Sequence, residues 1–296
     1  MMQLNTLSVA LFNQIVQVGL THVAYAANFL HCYSEQYIDL FETVEFMDYL
    51  PFLKEIIKRD FKKKYYRSVL GVAWSMLSPL LMMVVVSIVF STLFSRSIQY
   101  YPAYWFSGNM IFNFIFEGSN HAMNSITGNA SLIRKIKIPK YFFCISTVTQ
   151  QFITMSMSLI PFIAVSIVIG VPFTPYMLLA PVPMLMAYFF ALGLGLFLCS
   201  YATFLRDLSY IYKIVRRVLL YVTPVFYPIS IVPENFRFIW YLNPICIYLT
   251  MFRNLAMDGI MPSEKLIITG TFYAILMLAL GAVTFKEKQD RFFLYI

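Results

Sequence analysis

Side chains capable of acid–base, nucleophilic or metal chemistry are few in this chain of 296 residues, and they lie far apart. Between Asp60 and Glu234 the sequence contains just two acidic residues, Glu117 and Asp207. Histidine occurs at three scattered positions, which are His22, His31 and His121. Proton transfer by side chains requires groups within hydrogen-bond reach of one reacting atom, and this scatter does not indicate a catalytic centre.

Sequence motifs for nucleotides and metals are absent as well. No Gly-rich loop ends in Gly-Lys-Ser/Thr, so the chain is not expected to bind a nucleotide in the usual way. It has no His-Glu-x-x-His motif, and its four cysteines lack the short spacing of a zinc site or a disulfide framework. We therefore expect neither enzyme activity nor a cofactor in this chain.

Glu117 is an acid within an apolar stretch. A carboxylate at membrane depth is costly and usually faces protein or water. Two interpretations stay open. Glu117 either contacts a substrate or a neighbouring chain, or joins a local polar cluster with Asn113, Asn120 and His121.

The positive charges are grouped. Of the 22 Lys and Arg residues, 18 lie in residues 54–67, 134–140, 206–217 and 286–291. The other four fall in the alternate gaps, at Arg96, Arg237, Arg253 and Lys265. This alternation is typical of the positive-inside rule, in which cytoplasmic loops keep Lys and Arg. An RNA-binding surface would need the blocks on one soluble face, and the apolar runs between them argue against it.

Those apolar runs predict membrane spans. The chain is 60% hydrophobic and 12% charged, whereas soluble proteins are about 25% charged. Residues 141–205 pass 65 positions without a charged residue, enough for two crossings of a hydrocarbon core about 30 Å thick. Gly170, Pro172 and Pro175 predict the turn between the two crossings, and Gly-Leu-Gly at 193–195 permits close helix contact.

The predicted fold class is an all-α integral membrane protein with six transmembrane helices, cytoplasmic coupling helices and both termini in the cytoplasm. The spans are expected at about 72–94, 103–122, 141–169, 177–202, 214–229 and 266–285. Pro224 and Pro228 are expected to break the fifth span. Residues 230–264 mix charged and aromatic side chains, which predicts a re-entrant helical hairpin between spans five and six, with two short segments meeting at Asn243–Pro244.

Residues 1–67 are predicted to form an N-terminal extension with interfacial amphipathic helices. Residues 1–32 carry polar groups on one helical face, and they either lie in the membrane interface or form an additional span. Residues 33–50 predict a short acidic helix. Residues 54–67 predict a basic one, whose cations meet anionic headgroups or act as a stop-transfer cluster.

Residues 129–138 predict a short amphipathic helix on the cytoplasmic side. Its apolar stripe and surrounding cations are Leu132, Ile133, Ile136, Arg134, Lys135 and Lys137. Such a helix suits docking into a partner's groove. The alternative is a loop on the membrane surface.

Three stretches carry a resemblance to a known family. The run RDFKKKYYRSVLGVAWSMLSPLLMM at 59–83 resembles the start of the first span in permease subunits of type-2 ABC exporters, in particular those for O-antigen, capsular polysaccharide and teichoic acid. The stretch from Glu117 through NSITGNASLIRKIKIPK is similar to their second span and first coupling helix. Residues 202–254 resemble their second internal loop, fifth span and re-entrant segment. The likeness covers about 45–290, and residues 1–40 are a longer lead than such permeases usually carry.

The resemblance implies a transmembrane domain over residues 68–290 and a cytoplasmic tail over 291–296. It implies a homodimer in the bacterial cytoplasmic (inner) membrane with two copies of a separate ABC ATPase subunit, which would bind ATP and Mg²⁺. The substrate would be a polysaccharide linked to a lipid diphosphate. The contacts with the ATPase would be made by Leu132, Ile133, Arg134, Lys135, Ile136, Arg206 and Asp207.

Candidate substrate-binding residues fall into two groups. Aromatic rings bind the C–H faces of sugars by dispersion, and packing or lipid-facing roles are the alternative. The candidate aromatic residues of the substrate pathway are Trp74, Phe90, Phe94, Tyr221, Phe226 and Tyr227. A basic entrance for the lipid diphosphate is expected from Arg59, Lys62, Lys63, Lys64 and Arg67, which the positive-inside rule also explains.

Two other functions stay open. A type-2 permease for a small hydrophobic compound, such as a drug or antibiotic, would use the same fold. A membrane-embedded transferase acting on lipid-linked sugars would turn over without an ATPase, and the sparse acidic residues argue against it.

Overall fold

The computed structural model describes residues 49–66, 70–94, 98–135, 138–205, 207–231, 240 and 242–295. The predictions for residues 1–48 and for Arg67, Ile136 and Arg206 lie outside them. Residues 51–296 form one compact unit. The regular structure of the described residues is helical, as the sequence predicts.

The helices follow one another along the chain with short connections. In order they are α1 (Leu50–Tyr65), α2 (Ala73–Phe94), α3 (Tyr101–Met123), α4 (Ser125–Gly128), α5 (Ala130–Ile133), α6 (Tyr141–Met157), α7 (Leu159–Ile169), α8 (Pro181–Ala202), α9 (Leu208–Val222), α10 (Pro244–Arg253) and α11 (Glu264–Lys288). Single turns of 3₁₀-helix cover Pro175–Leu179, Ile229–Ile231 and Gln289–Leu294, and a π-helical turn covers Asn254–Asp258.

Four helical stretches of the described chain are long and apolar enough to cross a membrane. They are Ala73–Ser91, Tyr141–Ile169, Pro175–Ala202 and Glu264–Phe292. These match predicted spans one, three, four and six, so the chain is a multi-pass membrane protein. Helices α3 and α9 occupy the places of spans two and five without reaching the same apolar length. Polar groups interrupt α3, and α9 has 15 residues, or roughly 22 Å, with three cations.

The turn predicted in the uncharged hairpin is present. Gly170 ends α7 in the left-handed conformation (φ 79°), and a 3₁₀ turn that begins at Pro175 leads into α8. The third span has an additional interruption at Ser158, between α6 and α7. Pro161 follows three residues later, and its ring crowds the preceding helical turn, which accounts for the interruption.

Glycines bring α8 into close contact with two neighbouring helices. A Cβ atom added to Gly281 of α11 would overlap the carbonyl oxygen of Gly193 in α8. A Cβ atom on Gly195 would lie 2.6 Å from the Cβ atom of Ala122 in α3. The close helix contact predicted at 193–195 is therefore confirmed, because only glycine leaves room for these backbones.

The helix at the place of the predicted fifth span ends where the prolines predict a break. Helix α9 ends at Val222, Thr223 is extended (φ −82°, ψ 133°), and the non-helical backbone continues to Pro228. We call residues 222–228 the helix-break segment. Side chains satisfy its exposed carbonyl groups: Trp240 Nε1 donates to Val222 O (2.9 Å), Tyr101 Oη to Phe226 O (3.0 Å), Tyr104 Oη to Tyr227 O (3.0 Å) and Arg253 Nη1 to Pro224 O (2.9 Å). Non-helical backbone at membrane depth is stable only where protein or water supplies such partners.

Among the described side chains, Arg253 makes the most hydrogen bonds around the helix-break segment. It is 7% exposed, although the sequence indicates only an isolated cation between two apolar runs. Its guanidinium donates to the carbonyl of Tyr104 (2.9 Å), lies 3.4 Å from the centre of the Tyr104 ring, and donates from Nε to Ser107 Oγ (3.3 Å). A buried cation at the end of α10 thus binds both the start of α3 and the helix-break segment.

The junction predicted at Asn243–Pro244 is the start of α10. The Asn243 side chain caps this helix by accepting a hydrogen bond from the Ile245 N–H (3.0 Å), and it donates to Thr223 Oγ1 (3.1 Å). The other arm of the predicted re-entrant hairpin, residues 232–239 and 241, lies outside the described residues.

The C-terminal turn packs back on the helices. Phe292 is fully buried, with its ring centre 5.9 Å from that of Phe204 and 5.3 Å from that of Phe285. The Lys140 ammonium donates to the carbonyl of Gln289 (2.6 Å). The basic tail predicted from the sequence is therefore anchored at Phe292. The contacts of this turn join the start of α6 to the ends of α8 and α11.

Candidate functional site

Two neighbouring cavities lie along the polar side of α3 and α6. The ion-pair cavity, of about 300 Å³, contains Glu117 and Arg216. The basic cavity, of about 680 Å³, lies between α1, residues 124–135 and α6. Lys64 and Gln151 line both, so the cavities share a wall.

Amides and hydroxyls lie on facing walls of the ion-pair cavity, beside apolar side chains such as Phe106 and Phe114. A spacing of four residues places Asn109, Asn113 and Glu117 on one face of α3. The opposite wall carries polar groups as well, from Gln151 and Thr154 of α6 and from Ser158 immediately after it. Polar side chains between apolar helices normally contact protein or line a cavity, and these line a cavity. Such a lining suits a ligand with many hydroxyl or phosphate oxygens.

Arg216 of α9 closes the ion-pair cavity. Its Nη1 donates to the carboxylate of Glu117, and its Nη2 donates to Asn113 Oδ1 (2.9 Å). The amide of Asn113 in turn donates to Asn109 Oδ1 (2.8 Å), and His121 Nε2 lies 3.9 Å from Glu117 Oε2. The side chains of Arg216 and Glu117 are 34% and 36% exposed, so the pair can be reached from the cavity.

This arrangement agrees with the polar-cluster interpretation of Glu117 for Asn113 and His121. Contact with a substrate or a second chain stays a prediction. The sequence does not predict Arg216 as the partner of Glu117, because Arg216 lies in a block of cations that is expected to form a loop. The amphipathic pattern of 208–222, with Arg216 four residues after Tyr212, is the signal that it belongs to a helix face. The hydroxyls of Tyr212 and Ser119 form a second polar contact between α9 and α3.

The basic cavity joins α1 to the segment after α3. Arg59 donates from Nη2 to Asn129 Oδ1 (2.9 Å) and from Nε to Asp60 Oδ1 (2.8 Å). The Asn129 amide donates to the carbonyl of Ser125 (2.9 Å). The positive charges of its lining come from Arg59, Lys63, Lys64 and Lys135.

Of the predicted basic entrance, the structure brings three residues together at one cavity. These are Arg59, Lys63 and Lys64. The Lys62 ammonium instead lies 5.7 Å from the centre of the Tyr66 ring. Arg67 is outside the described residues.

The predicted aromatic residues form no single group. Phe90 and Phe226 approach each other, with ring centres 6.1 Å apart. Trp74 and Tyr221 are 45% and 72% exposed. The hydroxyl of Tyr227 donates to the carbonyl of Tyr221 (2.7 Å). The side chain of Phe94, at the end of α2, is not among those described. The aromatic residues found in the lining of the ion-pair cavity are Phe106 and Phe114, which the sequence analysis did not select.

The predicted coupling residues differ in accessibility. The described helix α5 ends at Ile133, where the sequence predicts a helix to 138, and Arg134 and Lys135 form an exposed turn. Ile133 is 4% exposed and belongs to the core of this chain, and Leu132 is partly buried. Asp207 is exposed immediately before α9. Among the predicted coupling residues that the structure describes, the exposed ones, Arg134, Lys135 and Asp207, are therefore charged.

Comparisons with known proteins agree with this architecture. Residues 52–257 match the family described as ABC-2 type transporter. The chain is 25% identical over 241 residues to the O-antigen export system permease protein RfbA of Klebsiella pneumoniae, covering 80% of this chain and 92% of that protein. It is 23% identical over 250 residues to RfbA of Myxococcus xanthus, with 84% and 96% covered. It is 28% identical over 209 residues to the capsule polysaccharide export inner-membrane protein CtrC of Neisseria meningitidis, with 67% and 76% covered. A family match over more than half of its length places the chain among its members: it belongs to the ABC-2 type transporter family.

Proposed function

We propose that this chain is the membrane-spanning permease subunit of an exporter for a lipid-linked polysaccharide, such as an O-antigen, a capsule or a teichoic-acid-like polymer. The polymer moves from the cytoplasm across the inner membrane. The observation that carries the proposal is the similarity to permeases named for O-antigen and capsule export along most of both chains. Those names favour a polysaccharide over a small hydrophobic compound.

The proposed assembly is a homodimer of this chain with two copies of a separate ABC ATPase, which binds ATP and Mg²⁺. Each chain crosses the membrane six times, with α3 and α9 as the second and fifth spans and both termini in the cytoplasm. The grouping of Lys and Arg supports this orientation. The polar face of α3 then lies inside the assembly, which removes the cost of exposing Asn113 and Glu117 to lipid.

The ATPase contacts this chain around α5 and at the start of α9. Ser131, Arg134, Lys135 and Asp207 are exposed there and supply hydrogen bonds and charge. Leu132 contributes the accessible apolar surface. The buried Ile133 transmits movement of α5 to the core instead of touching the partner.

The basic cavity is the entrance for the lipid diphosphate. Arg59, Lys63 and Lys64 line it together with the amides of Asn124 and Asn129. Cations and amide donors of this kind bind phosphate oxygens. The aromatic pair Phe90 and Phe226 is the best-placed of the candidate sugar-binding rings, since the structure brings the two together.

A deletion strain with complementation tests the proposed function. Deletion is expected to remove the surface polysaccharide while the lipid-linked polymer accumulates inside the cell. The wild-type gene restores export. The double substitution Lys63→Ala and Lys64→Ala lowers export several-fold at equal protein level. The matched control is Lys54→Ala with Lys58→Ala, on the same helix outside the cavity lining. Unchanged surface polysaccharide after deletion would overturn the proposal.

A further inference from the structure

The ion pair between α3 and α9 leaves part of the Arg216 side chain accessible. Arg216 contributes Nη1 to Glu117 and Nη2 to Asn113, and about a third of its side chain remains exposed to the ion-pair cavity. Because the pair is accessible from this cavity, an anion that enters it can contact the guanidinium. A stronger anion that reaches the cavity can therefore replace the carboxylate.

The charges around the two joined cavities favour such an anion. The described lining residues include five cations, Arg59, Lys63, Lys64, Lys135 and Arg216, against the two acids Asp60 and Glu117. The net excess is three positive charges with His121 neutral. Lys64 lines both cavities, so positive charge continues from the α1 side to Arg216. An anion that enters at the basic cavity meets Arg216 next.

Arg216 and Glu117 lie inside the ends of their helices. Glu117 lies six residues before the end of α3, and Arg216 lies eight residues after the start of α9. At 1.5 Å per residue, these are distances of about 9 and 12 Å from the helix ends. A headgroup therefore reaches Arg216 only through the cavities, whose cations offset the cost of bringing a phosphate this far from the membrane surface.

We propose that Arg216, supported by Lys64, binds the phosphate of a membrane-embedded phosphate or diphosphate ester, and that Glu117 competes with this phosphate for the guanidinium. The planar guanidinium presents paired N–H donors that match phosphate oxygens as well as carboxylate oxygens. The proposal rests on the proposed function for the nature of the lipid and names the residues that read its headgroup. Phosphate binding leaves α9 attached to α3 by the Tyr212–Ser119 contact and apolar packing, so the headgroup loosens this helix contact.

Equilibrium binding of radiolabelled farnesyl diphosphate to the full-length chain in nanodiscs tests the site. Arg216→Gln is expected to weaken binding at least 10-fold. Arg216→Lys, which keeps the charge and loses the planar fork, gives a smaller loss. Arg217→Gln is the matched control, because it removes the same charge from an exposed neighbour outside the cavity lining, and it stays within twofold of wild type. Glu117→Gln tightens binding several-fold because the competitor is gone.

Further ligands identify the source of the phosphate. Inorganic pyrophosphate that displaces the label as well as unlabelled farnesyl diphosphate would show a site for free phosphate and overturn the membrane-lipid assignment. Phosphatidylglycerol that displaces it equally would support the proposed site for membrane-embedded phosphate esters and show that it does not distinguish a diphosphate. Farnesol is expected to displace nothing.

The result that overturns the binding site itself is equal affinity in Arg216→Gln and Arg217→Gln at matched folding. Weaker binding in Glu117→Gln would overturn the competition. Failure of the inference is distinguishable from failure of the proposed function. In the first case deletion of the gene still abolishes export while Arg216→Gln binds normally, and in the second deletion leaves export intact.

Discussion

The substitution Arg253→Met tests whether a buried cation stabilises the helix-break segment, residues 222–228. The Arg253 guanidinium makes two short hydrogen bonds of 2.9 Å, to the carbonyls of Pro224 and Tyr104, and longer ones to Ser107 Oγ (3.3 Å) and Val225 O (3.4 Å). Hydrogen bonds to a charged group contribute about 1.5–3 kcal/mol each, so loss of the two short bonds costs roughly 3–6 kcal/mol. Methionine, which is apolar and shorter, relieves the desolvation of a buried cation, and this favours the lower end, about 3 kcal/mol.

The assay is unfolding of the purified chain in mixed micelles by titration with SDS, followed by circular dichroism. Arg253→Met is expected to lower the free energy of unfolding by about 3 kcal/mol, and Arg253→Lys by less, because lysine keeps the charge without the planar fork. Arg217→Met, an exposed position on α9, serves as the control for loss of one positive charge. An Arg253→Met protein within about 0.5 kcal/mol of wild type, the range of ordinary surface changes, would refute the reasoning.

Three further substitutions test the packing of the described chain. Gly281→Val places a side chain against the α8 backbone and is expected to lower stability by about 1–3 kcal/mol or more. The monodisperse fraction after solubilisation measures the loss. Gly128→Val is the control, because a side chain there meets nothing within 4 Å. Phe292→Ala removes a fully buried ring and is expected to cost about 3–5 kcal/mol and expose the C-terminus to protease, whereas Arg291→Ala leaves the cleavage rate unchanged. Asn243→Ala removes a helix cap at a cost of about 1 kcal/mol, seen as a lower midpoint in the same SDS titration; equal values for wild type and variant would contradict the assigned packing in each case.

Local features of the sequence predict much of this fold. Hydropathy locates the four long apolar helices because a span needs about 20 apolar residues in a row. Gly170 and Pro224 predict a turn and a helix end, because each has a backbone preference that does not depend on distant residues. The glycines at 193 and 195 predict close helix contact because they lack a side chain, although the sequence does not say which helices they meet.

Contacts between distant residues could not be predicted. Glu117 and Arg216 are 99 residues apart, and no local pattern joins them. From the sequence, Arg253 resembles an isolated cation outside the membrane. The break after α9 leaves carbonyl groups without helical partners, and Arg253 binds them in the interior. Phe292 resembles part of a short tail until the ends of the apolar helices form a pocket for its ring. Each case depends on the tertiary arrangement of the helices.

This chain is proposed to form a conduit whose energy a separate subunit supplies. To test this, the chain is reconstituted into proteoliposomes with and without its ABC ATPase, and the lipid-linked polysaccharide that reaches the far leaflet is measured. Transfer is expected only when both subunits and ATP are present, with no ATP hydrolysis by this chain alone. Transfer without the ATPase, or ATP hydrolysis by the isolated chain, would show that this chain does not depend on a separate energy source.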